Sequence, residues 1–383
     1  VIRLRGNQGL KGALAERLSH FVNAHVRFDA DNWDRNRIYP ISIIRQLGTE
    51  GLLCPFLPEQ FGGEGAGMLQ VGEVFEELGK WCSSTRSLLT VHGMVATVIH
   101  RFGTVQQKST WLPSLSNGSL TAAFALSEKG AGSDIKAIET IAVDHGDYVV
   151  LNGSKSWVTF GQWADIFLVF VKIGGELAAM LIDRCTPGLK VKPAIEMLGL
   201  RASGTTEIEF NACMVSKANL LGKVGTGISL IAMTALDFGR YSIAWGCVGM
   251  GQSCLQESLD YAENRVQFGM PIQSNQLVKK MISEMVVESK AARALCEKVA
   301  ESREDKLPDA IVQTWEAKYL ASKMSRKASG YAVQIHGAAG CVGGSLVERH
   351  FRDAKIMELI EGTNEMHEIL IADQALARRR TNG

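Results

Sequence analysis

Between positions 10 and 115 apolar residues recur every three or four places, the spacing that lines one face of a helix. The pattern predicts helices over 10–26, 41–52, 69–78, 87–101 and 105–115, with Pro40 at the start of the second. A Gly- and Pro-rich loop over 55–68 and an Asn117-Gly118 turn interrupt it. From about 122 the runs shorten to strand length. Strands are expected over 121–126 and 206–210, and hairpins over 148–159 and 166–182, turning at Asn152-Gly153 and Gly174-Gly175. Thr186-Pro187-Gly188 is a further turn. Short strands separated by turns suggest a small barrel or sandwich ending near 217. The helical period returns at about 225. It predicts one long or two shorter helices over 228–265, and others over 277–300, 308–335, 347–360 and 366–377. The order is therefore α+β: a helical N-terminal domain over 1–121, a β domain over 122–217 and a helical bundle over 218–383.

Composition removes several classes of function. The 383 residues carry 41 basic and 40 acidic side chains, a balance that implies neither a nucleic-acid nor a membrane-surface partner. No apolar run reaches membrane-spanning length, and the start, read as a trimmed or disordered terminus at Val1, lacks a signal-peptide pattern. Eight cysteines without C-x-x-C spacing read as reduced packing residues of a cytoplasmic protein. No zinc-ligand spacing, H-E-x-x-H or G-x-S-x-G is present, so no metal is expected.

Four stretches could carry chemistry. An apolar run, 356–360, delivers Glu361 beside Gly362-Thr363-Asn364. Such a join suits a base facing a cavity, or simply caps the next helix. Ser127 to Asp134 follows a strand and is rich in small residues, either a close approach to an anionic or planar ligand or a tight turn. Trp157 and Thr159, two apart on an expected strand, would share a face and could flank a flat ring, or be core. Arg265 to Gly269 is either a phosphate contact or a helix C-terminus.

In order and spacing, Phe124-Ala-Leu-Ser-Glu-Lys-Gly-Ala-Gly-Ser-Asp134, Trp157-Val-Thr159, Gly199-Leu-Arg-Ala-Ser203, Arg265 to Gly269, Gln334-Ile-His-Gly337, Arg352-Asp-Ala-Lys355 and Glu361-Gly-Thr-Asn-Glu365 resemble the acyl-CoA dehydrogenase family. The resemblance runs from about residue 40 to the end. It implies a C-terminal four-helix bundle, bound FAD, and a homodimer or homotetramer. It makes Glu361 the base that removes the α-proton, with Gly362 beside the substrate. It places Leu126, Ser127, Ser133, Trp157 and Thr159 at the FAD, with Thr363 and Glu365 at its phosphate and ribose end. Arg265 and Phe268, and the loop of Gln334, Gly337 and Ala338, would reach the FAD of a neighbouring subunit. Some members carry the base as a glutamate preceding an arginine; here that position is Gly239, before Arg240.

Stretches 51–54, 78–87, 239–249 and 357–361 are most similar to acyl-carrier-protein dehydrogenases that make hydroxymalonyl or methoxymalonyl extender units for polyketides. The resemblance then implies oxidation of a 2-hydroxy-3-oxopropionyl thioester to hydroxymalonyl on an acyl carrier protein, or on CoA. An external electron acceptor would reoxidise the flavin. Arg86, in a segment that lines the family's acyl pocket, is the expected contact to the polar acyl group, against the alternative of a surface arginine at a helix start. The competing expectations are a general acyl-CoA dehydrogenase forming an α,β-enoyl thioester, and a flavin-binding homologue without catalysis.

Overall fold

A computed structural model describes residues 12–381. Six helices come first: α1 (Ala13–His25), α2 (Ala30–Asn36), α3 (Ile41–Thr49), α4 (Met68–Trp81), α5 (Ser83–Phe102) and α6 (Val105–Ser116). The expected start of the first helix, Leu10, lies outside the described residues. The sequence pattern missed α2, whose seven residues span only two turns and show too little periodicity.

Eight strands follow: β1 (Ala122–Ala125), β2 (Ile141–Asp144), β3 (Tyr148–Val158), β4 (Ile166–Ile173), β5 (Glu176–Asp183), β6 (Leu189–Val191), β7 (Thr206–Ser216) and β8 (Leu220–Leu221). They form one mixed sheet in the order β6-β7-β3-β2-β4-β5-β8, with β1 parallel to the first half of β4. The hairpin at Gly174-Gly175 forms as expected, because both glycines take the positive φ (58° and 87°) that a two-residue turn needs. The hairpin at Asn152-Gly153 does not. β3 runs straight through it, paired with β7, and the register slips by one residue there. Gly153 instead supplies a bulge whose φ is 141°, where a Cβ would stand 2.7 Å from Thr140 Cα. Asn152 Oδ1 takes the Ala212 N–H across that bulge, at 2.8 Å.

The last third returns to helices: α7 (Met233–Asn264), α8 (Gln276–Glu304), α9 (Ala310–His336), α10 (Leu346–Leu359) and α11 (Asn364–Thr381). A two-strand hairpin, β9 (Val266–Gln267) with β10 (Met270–Pro271), joins α7 to α8. α7 is buried on nearly every side, as expected of a helix surrounded by α4, α5, α8, α9 and α10. α10 is tied to the other two layers. Arg349 pairs with Asp31 at 2.7 Å and donates to the Trp81 carbonyl at 2.6 Å, and Arg352 pairs with Asp34. Asp353 accepts the Leu200 N–H at 2.7 Å, from the loop after β6. The first half of α10 is thereby fixed against both the N-terminal helices and the β domain.

Candidate active site

One cavity of about 670 Å³ opens where α5, β1, β3, α7, α10 and α11 meet. Its lining brings together Glu361, Gly362 and Thr363 from the α10–α11 join, Leu126, Ser127 and Ser133 from the loop after β1, and Trp157, Thr159 and Arg86. Arg265, Phe268, Gln334, Gly337, Ala338 and Glu365 do not line it, and all are exposed. Phe268 stands at the tip of the β9–β10 hairpin with φ 51° and its ring fully in solvent.

Glu361 leaves α10 in a left-handed conformation, φ 56°, which costs a side-chain-bearing residue about 1–2 kcal/mol. The join is held from beneath. Arg240 Nε donates to the Glu361 carbonyl at 2.9 Å, Lys318 Nζ to the Gly362 carbonyl at 2.8 Å, and His367 Nδ1 sits 2.9 Å from the Thr363 carbonyl. Three successive carbonyls are thus bound by side chains of three different helices. No acceptor among the described residues takes the Glu361 N–H. The Glu361 Oε2 atom is buried without a hydrogen-bond partner, and burial pushes the carboxyl pKa up to about 7 against the opposing pull of Arg240, Arg86 and Lys318. Gly239 makes room for that carboxyl: a Cβ there would stand 2.8 Å from Glu361 Cδ and Oε2. A side chain at 239 and a glutamate at 361 therefore compete for the same space.

Arg86 is buried rather than at the surface, 1% exposed. Its guanidinium donates to Thr90 Oγ1 at 3.0 Å and to Ser87 Oγ at 3.1 Å, and lies 3.2 Å from Met357 Sδ. Among the described residues no carboxylate pairs with it, and burial depresses its pKa. Thr90 in turn shares a 2.6 Å hydrogen bond with Ser242. Gly246, on α7 seven residues beyond Gly239, admits the arginine stem: a Cβ there would lie 2.7 Å from Arg86 Cδ. A buried cation with no carboxylate in direct contact is costly, and an anionic or strongly polar ligand group would satisfy it.

Trp157 and Thr159 reach the cavity by a route other than the expected alternation. The β3–β7 register slips again between Lys155 and Val158, Trp157 takes φ 60°, and Thr159 follows the end of the strand. The bulge turns the indole out, 52% exposed, beside the cavity. Lys155, fully buried, bonds the Leu126 carbonyl at 3.1 Å and Glu128 at 2.7 Å, and Glu128 takes the Thr140 N–H at 3.0 Å, which fixes the loop after β1. An open indole face, three hydroxyls (Ser127, Ser133, Thr159) and the unpartnered Glu361 carboxyl fit a flat, polar-edged cofactor such as a flavin.

The sequence reading did not assign roles to Arg240, Lys318 or His367. His367 is buried, its Nε2 has no partner, and burial pushes its pKa down to about 4, so the ring is neutral. The usable signal for Lys318 was its register. Thr314, Ala317, Ala321, Ser322, Ser325, Ala328 and Ala332 form the buried face of α9, and Lys318 sits in the middle of it.

Three family descriptions match consecutive parts of the chain: the N-terminal domain of acyl-CoA dehydrogenases over residues 11–119, the middle domain over 123–213 and the C-terminal domain over 225–376. The acryloyl-CoA reductase (NADH) of Anaerotignum propionicum is 35% identical over 365 residues, covering 94% of this chain and 92% of that protein. Among solved structures, FkbI, described as acting in biosynthesis of the methoxymalonyl extender unit of a polyketide immunosuppressant, superposes with a TM-score of 0.88 at 33% identity, covering 94% of this chain and 99% of FkbI. The butyryl-CoA dehydrogenase of Megasphaera elsdenii gives a TM-score of 0.91 at 31% identity, covering 96% and 99%.

Proposed function

The chain belongs to the acyl-CoA dehydrogenase family, and within that family we propose that it oxidises a small, polar three-carbon acyl unit, 2-hydroxy-3-oxopropionyl, to hydroxymalonyl on an acyl carrier protein. It is a flavin-dependent oxidoreductase, and its cofactor is FAD. The observation that carries the substrate reading is Arg86, a buried guanidinium without a carboxylate partner, in the same cavity as Glu361. A plain alkyl chain would leave that charge unanswered, whereas a carboxylate forming on the β-carbon answers it. The likeness to FkbI supports a carrier-bound extender unit as the substrate.

When bound, FAD supplies the acceptor for the hydride. Leu126, Ser127, Ser133, Trp157, Thr159 and Thr363 would hold it, with Glu365, outside the cavity lining, reaching its phosphate and ribose end. Glu361, with a pKa of about 7, takes a proton from the hydrated β-aldehyde as its carbon is oxidised to the acid. The free Glu361 N–H, beside Gly362, holds the thioester carbonyl. Arg86 stabilises the negative charge as it develops, and Thr90 and Ser87 keep its guanidinium turned to the cavity. Arg265, Phe268, Gln334, Gly337 and Ala338 would contact the FAD of a second copy in a homodimer or homotetramer. An aromatic ring as exposed as Phe268 suits such burial. An external electron acceptor completes the cycle.

The second reading, desaturation of a short acyl-CoA, is favoured by the likeness to butyryl-CoA dehydrogenase. Loss of catalysis altogether is disfavoured by an intact, perturbed Glu361. Anaerobic mixing of the holoenzyme with the three-carbon thioester on a carrier protein, followed by mass analysis, separates these readings. Flavin bleaching with gain of one oxygen and loss of no carbon supports the proposal. Bleaching by butyryl-CoA alone overturns it.

A further inference from the structure

Lys318 is 0% exposed and lies on the face of α9 that meets both α10 and α11. Its ammonium has three donors, and three acceptors surround it: the Gly362 carbonyl at 2.8 Å, Asn364 Oδ1 at 3.1 Å and the Glu358 carbonyl at 3.4 Å. All three belong to the segment that ends α10, carries Glu361 and begins α11. Ser322, one turn along α9, also donates to Asn364 Oδ1, at 2.9 Å. Among the described residues no carboxylate makes direct contact with Lys318, so its hydrogen bonds go to the backbone and the amide of the join. We infer that Lys318 is the positioning residue of the reaction: it fixes the backbone of the join so that Glu361 keeps its left-handed conformation and its carboxyl stays aimed into the cavity.

The inference rests on Glu361 being the base. A carbonyl fixed on either side of Gly362 leaves the preceding residue little rotational freedom, and Arg240 completes the fixing at the Glu361 carbonyl. Lys318 also bears on the charge of the site. The charged groups facing Glu361 are Arg240 from α7, Arg86 from α5 and Lys318 from α9; Lys318 itself also faces Cys247 and Arg240 from α7, Glu358 from α10 and the neutral His367 from α11. Burial lowers the Lys318 pKa to about 8, so the ammonium is charged at neutral pH and favours the ionised form of Glu361.

The test compares Lys318→Met, Lys318→Arg and Glu361→Gln in the holoenzyme. The readouts are substrate-driven flavin reduction across pH and, independently of turnover, infrared titration of the Glu361 carboxyl, identified by its loss in Glu361→Gln. Lys318→Met is expected to slow reduction at pH 7 at least tenfold with KM little changed, and to move the carboxyl titration upward by about one pH unit. Lys318→Arg is expected to restore the titration and most of the rate. Should Lys318→Met fail to fold, Asn364→Ala removes one anchor of the ammonium and is expected to shift both readouts in the same direction by less. Unchanged titration and a rate within twofold in the foldable variant overturn the inference. Full activity in Glu361→Gln instead overturns the assignment of the base.

Discussion

Replacing Gly239 by alanine is expected to leave the protein at least as stable while disarming it. The site is in the interior of α7, where glycine is about 1 kcal/mol less favourable than alanine. For a chain of 383 residues, that gain corresponds to an increase of about 1 °C in Tm. The new methyl would stand 2.8 Å from Glu361 Cδ and Oε2 and 3.1 Å from Cγ, closer than carbon atoms pack. What must yield is the far end of a flexible side chain, so the helix need not move. The carboxyl gives way by several tenths of an ångström or rotates out of its position. A displacement of about 1 Å at a reacting group can cost about a hundredfold in rate. Stopped-flow reduction of the flavin by substrate should therefore fall tenfold to a hundredfold, with unchanged FAD content and a Tm equal to or above that of the parent. If Gly239→Ala reduces its flavin at the parent rate, the carboxyl does not react from the position described. If its Tm falls by several degrees, the clash is relieved by the helix instead, and the reasoning fails at that step.

Arg86→Leu should retain FAD and fold, but lose at least tenfold in kcat/KM for the 2-hydroxy-3-oxopropionyl thioester relative to an alkyl thioester, read by competition between the two. The rate of flavin reduction should rise with pH through about 7, as Glu361 ionises. The same shift has a sign in stability. A carboxyl whose pKa is raised by folding binds its proton more tightly in the folded state, so stability falls as pH rises from the unfolded value towards 7. Glu361→Gln should therefore be more stable than the parent at pH 8, by up to about 3 kcal/mol, and lose that advantage near pH 4; a constant difference in urea midpoints at both pH values would count against the shift. Lys155→Met breaks a buried pair and releases the Leu126 carbonyl, so it should cost about 3–5 kcal/mol of stability and lower FAD retention, measured as flavin absorbance per protein after gel filtration.

The longer helices and strands were legible because each kind of element repeats its own period over many residues; α2, the short strands β2, β6, β8, β9 and β10, and the continuity of β3 were not, because short elements and a bulge leave little trace in a pattern. Asn152-Gly153 has the composition of a turn, and only its pairing with β7 and β2 reveals that the strand continues. The site divides along the same line. Glu361 was a candidate from its own neighbours, an apolar run, a carboxylate and a glycine, which fit a helix cap as well; the order of the other family motifs singled it out. The residues that hold it were not, since Arg240, Lys318 and His367 come from three helices and act on backbone carbonyls, which no side-chain motif records. Two of the four glycines of α7 carry the remainder. Gly239 and Gly246 lie seven residues apart, two turns on one face, or about 10 Å. In the sequence they look like weak points in a helix. In the fold one receives the carboxyl of Glu361 and the other the stem of Arg86, so the spacing of two missing side chains sets where the carboxyl and the guanidinium stand along the cavity.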